Sequence, residues 1–155
     1  MGHIVNTIHI DAPPERVFEL GADARRLPEW NTSFVQVKDV TGPLDQVGAR
    51  YTTVIKVAGR LLDGQWEVVR VEKPTYLETK GTAPAGGRAT VISRNEPAGG
   101  GTDSTVELDY ELPGGFLGGA LDAIFVQRAM ERDMKHTAEN FKAICEAGVL
   151  AAAGR

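Results

Sequence analysis

The stretch from Phe34 to Leu112 constrains the fold most, because it contains strand-like runs separated by turn signals and no segment with helical periodicity. The turn signals divide it into six runs of hairpin-compatible length, with breaks at residues 41–45, 58–59, 72–74, 84–87 and 97–101. Parallel strands need a long crossover connection, usually a helix. The pattern therefore predicts an antiparallel meander.

A seventh strand and a short helical region precede this meander. Alternation of β-branched and polar residues from His3 to Ile10 predicts the strand. Asp11 is a candidate N-cap for a helix from Pro13 to about Ala22, since proline suits a first helical turn. Pro28 is expected to end the helical region.

A long helix is predicted from about Phe116 to Ala147, after Pro113 and a glycine-rich lead-in. Its apolar residues recur at three- or four-residue steps, so we expect one face to be buried and the other exposed. The predicted buried face is Met130, Met134, Phe141 and Cys145; the predicted exposed face is Arg128, Lys135, His136 and Lys142. Replacing Phe141 with Ala should cost about 3–5 kcal/mol.

This order of elements predicts an α+β fold in which the last helix covers one face of the sheet. About 30 helical residues reach roughly 45 Å, enough to cross a whole sheet. The last strand supports this, because apolar Val106, Leu108 and Tyr110 alternate with polar neighbours. We expect one domain over residues 1–155, with its core at about 4–147 and a tail at 148–155.

Several stretches of the chain resemble one superfamily: Ile8–Phe18, Leu27–Trp30, Val71–Pro74, Gly101–Val106 and the glycine-rich lead-in to the final helix. They are similar to the START-like, or SRPBCC, superfamily, and within it to the polyketide cyclase/dehydrase and lipid-transport group. The resemblance spans roughly Ile4 to Ala147. It implies a helix-grip fold, in which a seven-stranded antiparallel sheet wraps around a long C-terminal helix, with short helices after the first strand. The superfamily includes aromatase/cyclases and hydrophobic-ligand carriers, so the resemblance leaves the activity open.

Composition and charge exclude several classes of partner. The chain has 17 basic and 21 acidic residues, a net charge of −4, so nucleic acid is not an expected partner. No apolar stretch approaches the roughly 18 residues of a membrane span, and the first residues lack the pattern of a signal peptide. Cys145 is the only cysteine, which fits a reducing cytoplasm.

No motif for a metal, a cofactor or a nucleophile is evident. His3 and His9 share a strand face but lie some 20 Å apart at about 3.3 Å per residue, too far to share one ion. Cys145 lies on the apolar face of the helix, where cysteine acts as a small hydrophobe. The paired glycines form neither a dinucleotide-binding nor a phosphate-binding loop. We therefore expect no cofactor and no metal, and the catalytic residues, if any, are unassigned.

A cavity between sheet and helix is the expected functional site. Tyr51 and Thr53 are expected on the face of their strand that packs against the helix. For Trp66 and Tyr76 the face is ambiguous, because the neighbouring apolar residues Val68 and Val69 lie on opposite faces of a strand. Methionines at helical spacing fill a core more often than they line a ligand site, so their role is open. The candidate lining residues are Trp30, Tyr51, Thr53, Trp66, Tyr110, Phe125, Met130 and Met134.

Two functions compete for this cavity. The first is binding of a hydrophobic small molecule, lipid-like or aromatic, without turnover. The alternative is a polyketide cyclase or aromatase, for which Tyr110, Arg94 and Asp63 are the candidate acid or base groups, although no spacing joins them. A third, less favoured hypothesis is an interaction module or homodimer that uses the apolar start of the last helix: Phe116, Leu117, Leu121, Ile124 and Phe125.

Overall fold

The computed structural model describes residues 2–57, 59–82, 86–112 and 120–153, with side chains described for 2–56, 59–82, 86–112 and 124–148. Seven strands are present: β1 Gly2–Ile10, β2 Phe34–Lys38, β3 Arg50–Val57, β4 Arg60–Glu72, β5 Tyr76–Thr82, β6 Arg88–Ala98 and β7 Gly101–Glu111. The helices are α1 Pro14–Gly21, a 3₁₀ helix Ala24–Glu29 and α2 Ala120–Ala153. The fold is α+β, as predicted.

The strands form one antiparallel sheet in the order β1-β7-β6-β5-β4-β3-β2. The meander from β2 to β7 is confirmed, and β1 joins it by pairing with the last strand. β1 and β2 are therefore the two edges of the sheet, and α1 with the 3₁₀ helix connects them. α2 packs against β1 and α1. This arrangement is the helix-grip fold.

Helix α1 begins differently from the prediction. Its N-cap is Pro13, without a side-chain hydrogen bond, so the assignment of Asp11 as N-cap was wrong. The Asp11 carboxylate instead lies 3.1 Å from His9 Nε2. The backbone N–H of Asp11 donates to the Glu146 carboxylate of α2. Asp11 thus ties the end of β1 to the last helix. Pro28 lies inside the 3₁₀ helix, one residue before its end.

Helix α2 extends to Ala153, six residues beyond the predicted end at Ala147. Phe116 and Leu117, and the side chain of Leu121, lie outside the described residues. Cys145 is fully buried, and the other three residues of the predicted face, Met130, Met134 and Phe141, are partly buried. No helix in the described ranges is long and apolar enough to cross a membrane.

The predicted exposed face of α2 is largely correct, with one exception. Arg128, Lys135 and His136 are exposed. Lys142 is half-buried, because its ammonium group donates to the carbonyl of His9 and pairs with Glu146 at 2.9 Å. The expectation that Lys142 is solvated was therefore wrong: it faces the end of β1.

The packed core lies around α1. One cluster joins Phe18 to Leu44, Tyr51 and Val68, under β3 to β5. A second cluster joins the other side of α1 to β1 and α2: Ile10, Ala12, Val17, Leu20 and Cys145. The short helix thereby fills one end of the space between the sheet and α2. The rest of that space has to be filled by other side chains or stay open.

Candidate functional site

The inner face of the sheet and α2 enclose a cavity with two adjoining lobes. The inner lobe, about 200 Å³, lies beside the 3₁₀ helix. The outer lobe, about 360 Å³, lies between α2, the first residues of β6 and the last residues of β7. The lobes adjoin each other, because several residues line both: Asn31, Phe34, Trp66, Val91, Val106, Met134 and Thr137. The outer lobe falls within the range of about 300–1,000 Å³ that is typical of small-molecule sites, and the inner lobe adds a smaller space beside it.

One cross-strand row explains where the space arises. The sheet register sets six residues side by side on the inner face, from β3 to β1: Tyr51, Trp66, Gly81, Ala89, Tyr110 and Gly2. In this row β3, β4 and β7 carry large aromatic side chains, whereas β5 and β6 carry only Gly81 and Ala89. Strands lie about 4.8 Å apart, so the small residues of β5 and β6 leave room on the inner face, which Trp66 fills above Gly81 and which stays open above Ala89.

The two aromatic groups that border this gap lean over glycines. A Cβ on Gly81 would lie 2.5 Å from the Trp66 indole, and a Cβ on Gly2 would collide with the Tyr110 ring. Trp66 therefore covers β5 and Tyr110 covers β1. Ala89, between them, remains part of the cavity wall.

The indole N–H of the inner aromatic wall already has a partner within the protein. Trp66 Nε1 donates to Thr53 Oγ1 at 3.0 Å. Tyr51 stacks on Trp66 with ring centroids 6.3 Å apart. Burial raises the pKa of Tyr51 to about 12, and the neighbouring Thr79 side chain lowers it by a smaller amount. These contacts fix the rings in place, so they present their apolar faces to the inner lobe.

The closed end of the inner lobe is formed where the 3₁₀ helix meets α2. Trp30 is 5% exposed, and its ring centroid lies 4.9 Å from that of Phe141 at an interplanar angle of 41°. Asn140 Nδ2 donates to the backbone carbonyl of Trp30 at 3.2 Å. This bond and the aromatic contact together anchor α2 over the sheet.

The outer lobe is walled by flexible and aromatic side chains. Met130 and Met134 line it from α2, and Leu108 and Tyr110 line it from β7. Methionine adapts to irregular apolar shapes. Burial raises the pKa of Tyr110, and the negative charge of Glu131 adds to the effect. Tyr110 is therefore a neutral phenol at pH 7 that can donate a hydrogen bond.

The other groups considered for acid–base chemistry lie outside the cavity. Asp63 pairs with Lys38 at 2.9 Å, and Arg94 pairs with Glu107 at 2.8 Å, on strand positions that face away from α2. Burial raises the pKa of the Cys145 thiol to about 12, so it is not a thiolate nucleophile at neutral pH. Among the described residues, no three His, Cys, Asp or Glu side chains are grouped to hold a metal ion.

Comparison with known proteins identifies the family. The sequence profile described as "Polyketide cyclase / dehydrase and lipid transport" matches residues 1–146. The chain belongs to this family. The START-like resemblance of the sequence is thereby confirmed. A search of curated protein sequences gives no match.

Three solved structures illustrate the proteins that share this fold. The protein TTHA0849 from Thermus thermophilus has a TM-score of 0.79 and 21% identity, covering 95% of this chain and 99% of that one. The Zhui aromatase/cyclase from Streptomyces sp. R1128 has a TM-score of 0.79 and 18% identity, covering 97% of both chains. A START superfamily protein from Mycobacterium smegmatis has a TM-score of 0.74 and 15% identity, covering 94% and 97%. At these identities the likeness shows the fold.

Six of the eight sequence-predicted site residues line the cavity of this polyketide cyclase/dehydrase and lipid transport family protein. Trp30 and Tyr51 line the inner lobe, Tyr110 and Met130 the outer lobe, and Trp66 and Met134 both. Thr53 is 2% exposed and supports Trp66 instead of lining a lobe. Phe125 does not join them: its side chain is 71% exposed.

Sequence reasoning missed the β6 part of the wall and the polar residues of the inner lobe. Ala89, Val91 and Ser93 face inward on β6, whereas Ile92 and Arg94 face outward. Polar and apolar residues occur on both faces of this strand, so its alternation gave no signal. Asn6 on β1 and Ser104 on β7 also line the inner lobe. Pairing with β7, whose alternation is clear, would have identified the inner face of β6.

Proposed function

We propose that this member of the polyketide cyclase/dehydrase and lipid transport family binds a hydrophobic small molecule, lipid-like or aromatic, in the two-lobed cavity. The observation that carries the proposal is the inner-face row in which Trp66 lies over Gly81 and the small Ala89 leaves a gap between Trp66 and Tyr110. Ligand surface placed there is removed from water, which contributes about 25 cal/mol per Å² of apolar area.

Binding without turnover is the favoured form of this function. Efficient acid–base catalysis needs a group positioned within hydrogen-bond reach of the reacting atoms. Asp63 and Arg94 are held in ion pairs on the other face of the sheet. The Trp66 indole N–H donates within the protein, and burial keeps the Tyr51 hydroxyl protonated with a pKa of about 12. The inner lobe therefore offers shape and apolar surface more than reactive groups, and the charged residues of the outer lobe, Arg88, Glu111 and Asp133, are exposed.

A size change at Ala89 tests the site directly. Ala89→Leu fills the gap, and Thr90→Leu adds the same side chain at the next position, on the opposite face of β6. The neutral fluorescent probe N-phenyl-1-naphthylamine should bind the wild type and Thr90→Leu, and bind Ala89→Leu at least about tenfold more weakly. Thermal unfolding establishes that both variants are folded. Equal binding by all three proteins would overturn the cavity as the site.

Native mass spectrometry of the freshly purified protein tests the same proposal without a chosen probe. A co-purified ligand would appear as an added mass, and Ala89→Leu should lose it while Thr90→Leu keeps it. That mass also identifies the chemical class of the ligand. An added mass that persists in Ala89→Leu would place the ligand outside the cavity.

The alternative function is that of an aromatase or cyclase acting on a polyketide-like ligand in the same cavity. The observation that favours it is Tyr110, a neutral phenol in the wall of the outer lobe. The shared fold with the Zhui aromatase/cyclase adds support. If Tyr110→Phe abolished conversion of such a substrate and left its binding unchanged, the hydroxyl would be part of the chemistry. Retained conversion in Tyr110→Phe would argue against this function.

We propose that residues 1–155 form one domain, since one sheet carries both core clusters and the cavity. The exposed apolar side chains of Ile124 and Phe125, 49% and 71% exposed, favour a homodimer contact. Light scattering, which measures the molecular mass in solution, would test it by comparing Phe125→Asp with the wild type.

A net charge of −4 and a single buried cysteine favour a cytoplasmic protein that does not bind nucleic acid.

A further inference from the structure

We propose that the inner lobe selects ligands whose buried part is uncharged and carries a hydroxyl or carbonyl group, and that it excludes free carboxylates. The inference rests on the proposed function and narrows it, because it separates neutral ring compounds and alcohols from fatty acids. Both kinds of ligand fit the description "hydrophobic small molecule". The chemistry of the lobe distinguishes them.

The described walls of the inner lobe carry no charged side chain. None of the eighteen described residues that line it is Asp, Glu, Lys, Arg or His. A carboxylate moved from water into such surroundings has no counter-ion, and burial of this kind raises carboxyl pKa values by up to about 3–5 units. An anionic group at this position is therefore strongly disfavoured relative to a neutral one.

The lobe is nevertheless not purely apolar, since one side of it presents neutral polar groups. Asn6 and Ser93 both lie opposite Val106, on the two strands that flank β7. Ser104, two residues before Val106 and 5% exposed, lies on the same face of β7. Hydroxyl and amide groups both donate and accept hydrogen bonds. This polar patch, formed by Asn6, Ser93 and Ser104, matches a neutral oxygen on the ligand.

The charged residues near the cavity belong to the outer lobe. Arg88 and its cross-strand neighbour Glu111 line that lobe from the sheet, and Asp133 lines it from α2. All three are exposed. Among the described lining residues two carboxylates face one guanidinium there, so this part of the rim carries a net negative charge. It offers no attraction to an anionic ligand.

A matched series of two-ring ligands tests the charge rule. Naphthalene, 2-naphthol, methyl 2-naphthoate and 2-naphthoate share one ring system, and only the last is charged at pH 7.5. Displacement of N-phenyl-1-naphthylamine should show binding of the three neutral compounds and at least about a hundredfold weaker binding of the carboxylate than of its ester. Binding of 2-naphthoate as tight as that of the ester would overturn the inference.

Serine variants test the polar patch. Ser93→Ala and Ser104→Ala should each weaken 2-naphthol by about three- to tenfold relative to naphthalene. Thr105→Ala, on the outer face beside Ser104, is the matched control and should leave that ratio unchanged. If the serine variants weaken both ligands equally, or neither, the patch does not recognise the ligand oxygen and that part of the inference fails.

The outcomes separate this inference from the proposed function. If none of the neutral ligands displaces the probe, and the probe binds Ala89→Leu as well as wild type, the proposed function itself fails. If the neutral ligands and the carboxylate bind alike and Ala89→Leu blocks all of them, the cavity is the site and only the selection rule is wrong. If binding of 2-naphthoate is tight and lost in Arg88→Gln, the rim recognises the anion, which also overturns the rule.

Discussion

The indole of Trp66 occupies the place where Gly81 of the neighbouring strand would carry a side chain. A Cβ on Gly81 would lie 2.5 Å from Cδ2 and Cε3 of the indole. The two residues are cross-strand partners on β4 and β5. The glycine is thus required for space, and it sets the position of the aromatic wall of the cavity.

Gly81→Ala should therefore destabilise the protein and disturb the cavity. The added methyl group displaces Trp66 and weakens its hydrogen bond with Thr53, an overpacking effect that costs about 1–3 kcal/mol. Urea unfolding measures the loss. Gly42→Ala is the control, since no atom lies within 4 Å of its added Cβ and its stability should change by less than about 0.5 kcal/mol. Equal stability of both variants would contradict the account.

The hydrogen bond between Trp66 and Thr53 gives a second prediction. Thr53→Val keeps the shape of the side chain and leaves the indole N–H without its acceptor, which should cost about 1–3 kcal/mol. A double-mutant cycle with Trp66→Phe isolates the pair. Thr53→Val should lower the free energy of unfolding clearly less in the Trp66→Phe background than in the wild type. Additive losses would show that the bond does not contribute.

Phe141 is expected to stabilise the closed end of the inner lobe. Phe141→Ala removes its contact with Trp30 and should cost about 3 kcal/mol, at the low end of the usual range because the side chain is only partly buried. Phe125→Ala makes the same change at a position 71% exposed on the same helix and, at a protein concentration at which the chain is monomeric, should cost less than about 0.5 kcal/mol. Similar losses for the two variants would mean that α2 does not face the sheet through Phe141.

The surroundings of His9 predict a pH dependence of stability. Its Nδ1 lies 2.8 Å from Asp103 and its Nε2 lies 3.1 Å from Asp11. The hydrogen bond with Asp103 is the main cause of the raised pKa of His9, with desolvation acting in the opposite direction. Because the folded pKa exceeds the unfolded value of about 6.5, the contribution to stability is complete below that pH. It is lost as the pH rises through the folded pKa.

Unfolding free energies of wild type and His9→Gln between pH 5.5 and 9 check this sign. The advantage of the wild type should be largest at the acid end and decline toward the alkaline end. Asp103→Asn removes the main cause of the raised pKa of His9. In that background the difference in unfolding free energy between the protein with His9 and the His9→Gln variant should depend less on pH. Curves that stay parallel over the whole range would refute the role of His9.

The sequence predicted the architecture because its signals are local. Turn residues separate the strands, and the alternation of β7 identifies its inner face, with Tyr110 in the cavity wall. The fold class and the course of the meander follow from such patterns. The end of α2 was placed six residues early because Gly148 indicated an end, whereas the helix continues past it to Ala153.

The parts that could not be predicted depend on contacts between distant residues. A β-bulge between Val68 and Arg70 changes the parity of β4, so Trp66 faces the cavity although the strand alternation is ambiguous. Tyr76 faces outward, where its hydroxyl donates to Glu78 at 2.8 Å and Arg70 stacks on its ring. The gap above Ala89 exists only because the register brings residues of six strands into one row. No single segment encodes it.

The central claim is that a hydrophobic ligand occupies the cavity between sheet and α2, and methyl NMR tests it most directly. The chain has three methionines, and Met130 and Met134 line the cavity. In protein labelled with ¹³C at the methionine methyl groups, bound N-phenyl-1-naphthylamine should shift the resonances of Met130 and Met134 and show nuclear Overhauser effects to both. Saturating the probe without a shift or an Overhauser effect at either methyl group would place the ligand elsewhere and contradict the claim.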